Sequence, residues 1–180
     1  MSELIRAFIA VKVPGNIADS LENFLTELRP LSRIKWVRRN QFHITLKFLG
    51  ELEPSIIRLV QDLLMPLKKF KPFTIELNHI GGFPNLNAPR VLWLGGDKGS
   101  QELAKLSRKI NDILYSEADL PIDDKKFRAH LTLARLKDSN LPEELVRKLG
   151  TVQNFSWLCD ELFLMRSELT PGGPIYSQLL

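Results

Sequence analysis

Apolar residues recur along this chain with two spacings, and the spacing changes wherever glycine or proline intervenes. Leu4–Val11 is a short apolar run closed by Pro14-Gly15, and it predicts a strand. From Ile17 onward, Leu21, Phe24, Leu25, Leu28 and Leu31 follow helical spacing with Asp19, Glu22 and Glu27 between them, and Pro30 ends that helix. Ile34–Val37 predicts a brief strand, and Phe42–Leu49 a longer one broken by Gly50. Pro54 suits the first turn of a second helix that buries Ile56, Ile57, Val60, Leu63 and Leu64. Phe73–Ile80 alternates as a half-buried strand does, and Gly81–Pro89 is the most loop-like stretch of the chain. After it, Arg90–Leu94 predicts a strand and Gly95-Gly96-Asp97 a turn. Ser100 then caps a helix carrying Leu103, Leu106, Ile110, Ile113 and Leu114. The charged connection Ile122–Lys126 leads to a strand over Phe127–Leu136 and a short helix over Pro142–Leu149. A strand over Phe155–Met165, a turn at Thr170–Pro174 and a last strand over Ile175–Leu180 complete the series.

The order strand, helix, strand, helix, strand thus occurs twice. It predicts an α+β fold in one domain over residues 1–180, duplicated as halves of about 1–85 and 86–180. Two such halves pack as pseudo-symmetric lobes, so that equivalent strands face each other across a cleft. The third element of each half carries the same tetrapeptide pattern: His43-Ile44-Thr45-Leu46 and His130-Leu131-Thr132-Leu133. Successive strand side chains point to opposite faces, so His and Thr share one face while the apolar residues bury the other. Two of the chain's three histidines fall in this pattern, which makes coincidence a poor explanation.

Charge and composition narrow the setting. A net charge of +4 and a pI near 9.3 fit an anionic partner. Cys159 stands alone, so no disulfide forms within the chain, and a reducing, cytoplasmic compartment is expected. The run LIRAFIAV is short and interrupted by Arg6, which marks it as a first strand and not a signal peptide. No stretch has the apolar length of a membrane span.

Imidazole titrates near neutrality, so one histidine can carry a proton while the other accepts one. An acid and a base on opposite sides of one centre suit an in-line displacement, and two threonine hydroxyls can hold the non-bridging oxygens of a phosphate. No metal or cofactor is needed for this. A lone histidine on a half-buried strand is usually a hydrogen-bonded structural residue, and it is the matched pair that argues otherwise. His79 has no threonine at the next same-face position and is expected to be structural. Cys159 is expected to be a small buried residue, and Ser167 lacks a Gly-x-Ser-x-Gly setting. Zinc is disfavoured because the histidines lie far apart, with one cysteine in the chain and no nearby carboxylate repeated in both halves.

Paired His-x-Thr-x motifs resemble the 2H phosphoesterase superfamily. The segments RAFIAVKVP, HITLKFLG, FRAHLTLAR and LMRSELTPGGPIY look like the RNA 2′,3′-cyclic phosphodiesterases, also called 2′-5′ RNA ligase-like proteins, and the resemblance spans essentially the whole chain. Ala129 departs from it, standing where that family often has proline before the second histidine. The resemblance implies two lobes, each an antiparallel sheet with helices on its outer face, and an active-site cleft between them. It also implies metal-free hydrolysis of RNA or nucleotide 2′,3′-cyclic phosphates to 2′-phosphomonoesters. His43 would then be the general acid, His130 the general base, and Thr45 and Thr132 the phosphate ligands. Arg135 matches a position where the family often uses arginine at the substrate. Strict alternation puts Arg135 opposite His130, so that role requires a bulge. Lys47 shares the face of His43 by alternation and adds positive charge there. The partners implied are RNA ends or small cyclic nucleotides, with no metal; the absence of long uncapped helices favours a monomer, and no membrane partner is expected.

Two further readings stay open: reversible 2′-5′ RNA ligation by the same residues, and a nucleotide- or RNA-binding module without catalysis. Lys35, Arg38, Arg39, Lys125, Lys126 and Arg128 flank the motifs and would attract an RNA backbone, with Trp36 or Phe42 stacking on a base.

Overall fold

A computed structural model of the chain describes residues 3–138 and 140–180. Its strands are β1 (Ile5–Lys12), β2 (Lys35–Trp36), β3 (His43–Leu52), β4 (Lys69–Leu77), β5 (His79–Phe83), β6 (Val91–Gly95), β7 (Leu131–Arg135), β8 (Phe155–Glu161), β9 (Phe163–Thr170) and β10 (Gly173–Gln178). Its α-helices are α1 (Gly15–Leu28), α2 (Pro54–Leu64), α3 (Ser100–Ala118) and α4 (Glu143–Leu149). The fold is α+β with antiparallel pairing throughout, as the alternating patterns predict.

One long sheet runs β10-β9-β1-β3-β7-β6-β5, and β2 lies along the rest of the β7 edge that β3 begins to cover. The two lobes meet where Ile44 of β3 pairs with Leu131 of β7. A separate ribbon of β4 and β8 contributes Ile75, Leu77, Phe155, Trp157 and Cys159 to the core. The helices bury residues three and four apart: Ala18, Leu21, Leu25 and Leu28 of α1; Ile57, Val60 and Leu64 of α2; Leu103, Ile110 and Leu114 of α3. These join Ala7, Ile9, Val11, Ile44, Leu131 and Leu133 of the sheet in a single apolar cluster. Full burial of one such side chain contributes about 1.5–3 kcal/mol, so the sheet's helix-covered face carries much of the fold's stability. The opposite face is left for the motif residues. Among the described residues no helix is long and apolar enough to cross a membrane.

Several boundaries depart from the periodicity. Gly50 does not end its strand: it adopts φ +72° within β3, which continues to Leu52. The expected strand Phe73–Ile80 is two strands. It parts at Asn78, whose N–H donates to Gly95 O, so that β4 joins the ribbon while β5 joins the long sheet. Phe155–Met165 divides in the same way at Leu162, whose N–H donates to Lys68 O. Alternation continues through both junctions, and it carries no information about which sheet a strand enters. Gly81–Phe83, read as loop, lies in β5. The strand expected over Phe127–Leu136 is regular only from Leu131, so His130 stands just before it. Gly99, and not Ser100, occupies the cap position of α3.

The lobes are also not the contiguous halves 1–85 and 86–180. β9 and β10 pair onto β1, β2 and β5 belong with β7 and β6, and residue 85 lies inside the β5–β6 hairpin loop. Each lobe therefore borrows strands from the other half of the chain.

Candidate active site

The pairing of Ile44 with Leu131 arranges the two motifs. Because the strands run antiparallel, one step along each from that pair brings His43 level with Thr132 and Thr45 level with His130. Ile44 and Leu131 are buried on the helix-covered face, so the two histidines and two threonines share the opposite face around a local twofold axis. All four are half-buried.

Each motif strand bulges at the last residue of its tetrapeptide. Across from β3, Ala10 pairs with Thr45 but the preceding Ile9 pairs with Lys47, which leaves Leu46 as the extra residue. Across from β7, Trp93 pairs with Thr132 but Leu92 pairs with Ala134, which leaves Leu133 extra. Two consecutive side chains then face the core, Leu46 with Lys47 and Leu133 with Ala134, all at most 3% exposed. The bulges thus reverse the alternation for whatever follows.

That reversal corrects one expected role and supplies the condition for another. Lys47 does not share the face of His43. It is buried, and its ammonium donates to Asn111 Oδ1 at 2.6 Å, Pro121 O at 2.8 Å and Asp123 Oδ1 at 3.4 Å. Arg135, placed by strict alternation on the wrong face, is turned to the side of His130, and its charge acts on His43, His130 and Tyr176 alike. Its counterpart after the first bulge is Phe48, 63% exposed.

The histidines are held alike. His43 Nδ1–H donates to Gln41 O at 2.7 Å and His130 Nδ1–H to Arg128 O at 2.8 Å, which leaves each Nε2 for chemistry. Burial pushes His43 down to about 4. The Gln41 carbonyl opposes this, and the charges of His130 and Arg135 add to it. Burial also lowers His130, with Arg128 O opposing and Arg135 and Arg128 adding to the shift. The site is therefore electropositive and resists protonation of both imidazoles.

Aromatic rings enclose the pair, and the spacing of the motifs did not identify them. His43 lies 4.8 Å from the Phe8 ring and edge-on to Tyr176 at 5.3 Å. His130 meets Phe83 edge-on at 5.0 Å and Trp93 at 6.3 Å, with the Arg128 guanidinium 5.5 Å from Trp93. Phe8 was legible as an alternate position of β1, whereas Tyr176 arrives only because β10 folds back on β9. Phe42, expected to stack on RNA, is buried at 6%, and Trp36 pairs with buried Ala134 on the helix-covered face, so neither presents a ring to the site. Lys35 pairs with Arg135 on the site's face, while Arg39 is engaged with Asp19 at 2.5 Å. His79 is exposed, edge-on to Trp93 at 5.7 Å. Cys159 is buried, and burial pushes its thiol up to about 11, far from a reactive thiolate.

Known proteins resemble this chain in sequence and in fold. Residues 17–171 match the 2′-5′ RNA ligase superfamily. An RNA 2′,3′-cyclic phosphodiesterase of Archaeoglobus fulgidus is 36% identical over 178 residues, covering 97% of this chain and 98% of that one. The corresponding Aquifex aeolicus protein is 32% identical, covering 97% and 95%. Among solved structures, a Thermus thermophilus protein superposes with a TM-score of 0.80 at 30% identity, covering 98% of this chain and 96% of that chain. Escherichia coli LigT complexed with 3′-AMP shares the fold, with a TM-score of 0.80 at 24% identity over 99% of this chain and 97% of that chain.

Proposed function

Because the chain belongs to the 2′-5′ RNA ligase superfamily, we propose that it hydrolyses 2′,3′-cyclic phosphates on RNA ends or small nucleotides to 2′-phosphomonoesters, with its own side chains as acid and base. The observation that carries this reading is the crosswise pairing of the motifs, with His43 level with Thr132 and His130 level with Thr45.

A cyclic phosphate seated on the twofold axis has one histidine at each apical position. His130 Nε2 takes a proton from water as its oxygen attacks phosphorus, the bond to O3′ breaks, and His43 Nε2–H protonates the departing oxygen. The hydroxyls of Thr45 and Thr132 donate to the non-bridging oxygens, and Arg135 balances charge gathering on them. One feature of the protein opposes this division of roles: His43 is more strongly discharged than His130. The substrate removes the opposition, because a phosphate anion beside His43 favours the imidazolium. With a ribose 5′ hydroxyl in place of the attacking water, the same residues join two RNA ends: His130 takes the proton of that hydroxyl as its oxygen bonds to phosphorus, O3′ leaves with the proton of His43, and a 2′-5′ linkage results, a reading supported by the superfamily to which the chain belongs.

The test is incubation of the protein, with EDTA present, with each 2′,3′-cyclic nucleotide and a short RNA ending in a cyclic phosphate, resolving 2′- from 3′-phosphate. A 2′-phosphate is expected, with kcat lowered about 100-fold or more in both His43→Ala and His130→Ala. Unchanged turnover in the two variants would refute the assignment.

A further inference from the structure

The two motif histidines are held by equivalent residues whose side chains differ in what they leave free. Gln41 and Arg128 each stand two places before a histidine and accept its Nδ1–H on the backbone carbonyl. The side chain of Gln41 is engaged inside the protein: its Nε2 donates to Pro174 O at 2.6 Å, and its Oε1 accepts from the Arg38 N–H at 3.0 Å. The side chain of Arg128 is exposed, and among the described residues no carboxylate pairs with it. It is nonetheless placed. Its guanidinium lies 5.5 Å from the Trp93 ring and 5.9 Å from the Phe83 ring, and both rings neighbour His130. A cation–π contact uses no N–H donor, so the donors of this guanidinium remain for a ligand.

The direction of the reaction selects that ligand. With O3′ departing beside His43, the nucleophile enters at His130. The ribose that carries O3′ lies on the His43 side, so what reaches Arg128 is the nucleophile and whatever is attached to it. Water brings nothing for a guanidinium to hold. An RNA end that attacks through its 5′ hydroxyl brings a phosphodiester one ribose away from that hydroxyl, and a phosphodiester is the acceptor that arginine pairs with best.

We propose that Arg128 is the acceptor-strand site of this protein, binding the first phosphodiester of a 5′-hydroxyl oligonucleotide whose hydroxyl His130 deprotonates. The proposal rests on the ligation reading above. In the step, the 5′ oxygen bonds to phosphorus as the bond from phosphorus to O3′ breaks. The proton of the hydroxyl passes to His130 Nε2 and that of His43 Nε2 to O3′, so a 2′-5′ phosphodiester forms and no co-reactant is consumed. A nucleoside can supply the hydroxyl but lacks the group that Arg128 takes.

The experiment is a competition within one reaction. The donor 2′,3′-cyclic AMP is incubated with adenosine or with the 3′-5′-linked dinucleotide ApA as acceptor, and the 2′-5′-linked product is measured against 2′-AMP. Transfer and hydrolysis share the donor, both histidines and both threonines, so a general loss of activity lowers them together and their ratio reports the acceptor. At equal concentrations the wild-type protein is expected to give a ratio about tenfold higher with ApA than with adenosine. Arg128→Gln keeps the carbonyl that holds His130 and is expected to bring the two acceptors level, and Arg128→Lys, which keeps the charge, to retain part of the difference. Equal ratios in the wild-type protein would overturn the acceptor site, as would a preference for ApA that Arg128→Gln leaves unchanged. An effect of Arg128→Gln confined to hydrolysis of a dinucleotide donor, ApA 2′,3′-cyclic phosphate, would overturn it too, because the cation would then serve the donor strand. Formation of 2′-AMP with transfer to neither acceptor would refute the ligation reading and the acceptor site while leaving hydrolysis intact. Formation of neither product would refute the reaction on which both rest.

Discussion

His43 carries a conflict that only substrate can resolve. It must be charged to act as an acid, yet its burial against Phe8 and Tyr176 and the nearby charges of His130 and Arg135 hold it near 4 in the free protein. The pH dependence of kcat/KM reflects the free protein and that of kcat the complex. The alkaline fall in kcat/KM is therefore expected at lower pH than the fall in kcat, a separation that steady-state kinetics across pH 4–9 would measure and that coincident profiles would contradict. The same shift enters stability. The unfolded chain takes up a proton on this histidine near 6.5 and the folded chain only near 4, so stability is lost as pH falls through that window. His43→Gln should flatten this part of the curve in urea titrations at successive pH values. Both motif histidines and both threonines were legible in the sequence because a repeated tetrapeptide is a local signal. Their aromatic surroundings were not, since Phe8, Phe83, Trp93 and Tyr176 come from four different strands.

The bulges in β3 and β7 decide what the strands present beyond each tetrapeptide. A period of two cannot reveal an inserted residue, which is why Lys47 was expected beside His43 and is found in the core. What holds the first bulge is polar. Among the described residues the buried polar or charged side chains are Lys47, Ser107 and Asn111, and they form one network: Ser107 Oγ donates to the carbonyl of the bulged Leu46, while Asn111 accepts from Lys47 and from the Asp123 backbone N–H. Asn111→Leu takes from the buried ammonium its shortest acceptor and from the Asp123 N–H its partner, whereas Lys47→Met removes the charge and keeps an apolar stem of similar length. The first is expected to cost about 3 kcal/mol and the second clearly less; denaturant titration would compare them, and the reverse order would show that the network does not carry the bulge. On the other strand pair, Gly81→Ala collides with the Trp93 indole. It should reduce stability and, by moving the ring that neighbours His130, lower turnover as well, which thermal melts and rates on the same preparation would show together.

The lobes of the whole molecule exchange strands: β9 and β10 complete the lobe that begins with β1, and β2 and β5 complete the lobe built on β7. Residues 1–85 expressed alone would leave β1 with β3 but without β9, and β2, β4 and β5 without partners, so they should not fold cooperatively, whereas the two fragments mixed should recover structure and activity. Circular dichroism of each fragment and of the mixture would decide this. The α+β class and most elements were readable from periodicity, but the exchange was not, because a strand's pattern records which face is buried and not which strand lies beside it. The crosswise arrangement of His43 with Thr132 and Thr45 with His130 has a consequence for the direction of time in the reaction. A twofold site looks the same to the oxygen that enters and the oxygen that leaves, so its four motif side chains confer no arrow. A reaction run forwards or backwards differs, to such a site, only by a half-turn. The arrow comes from the free energies of substrate and product; what breaks the twofold, at the threonines' cross-strand neighbours an alanine on one side and a tryptophan on the other, bears only on which histidine meets the leaving oxygen.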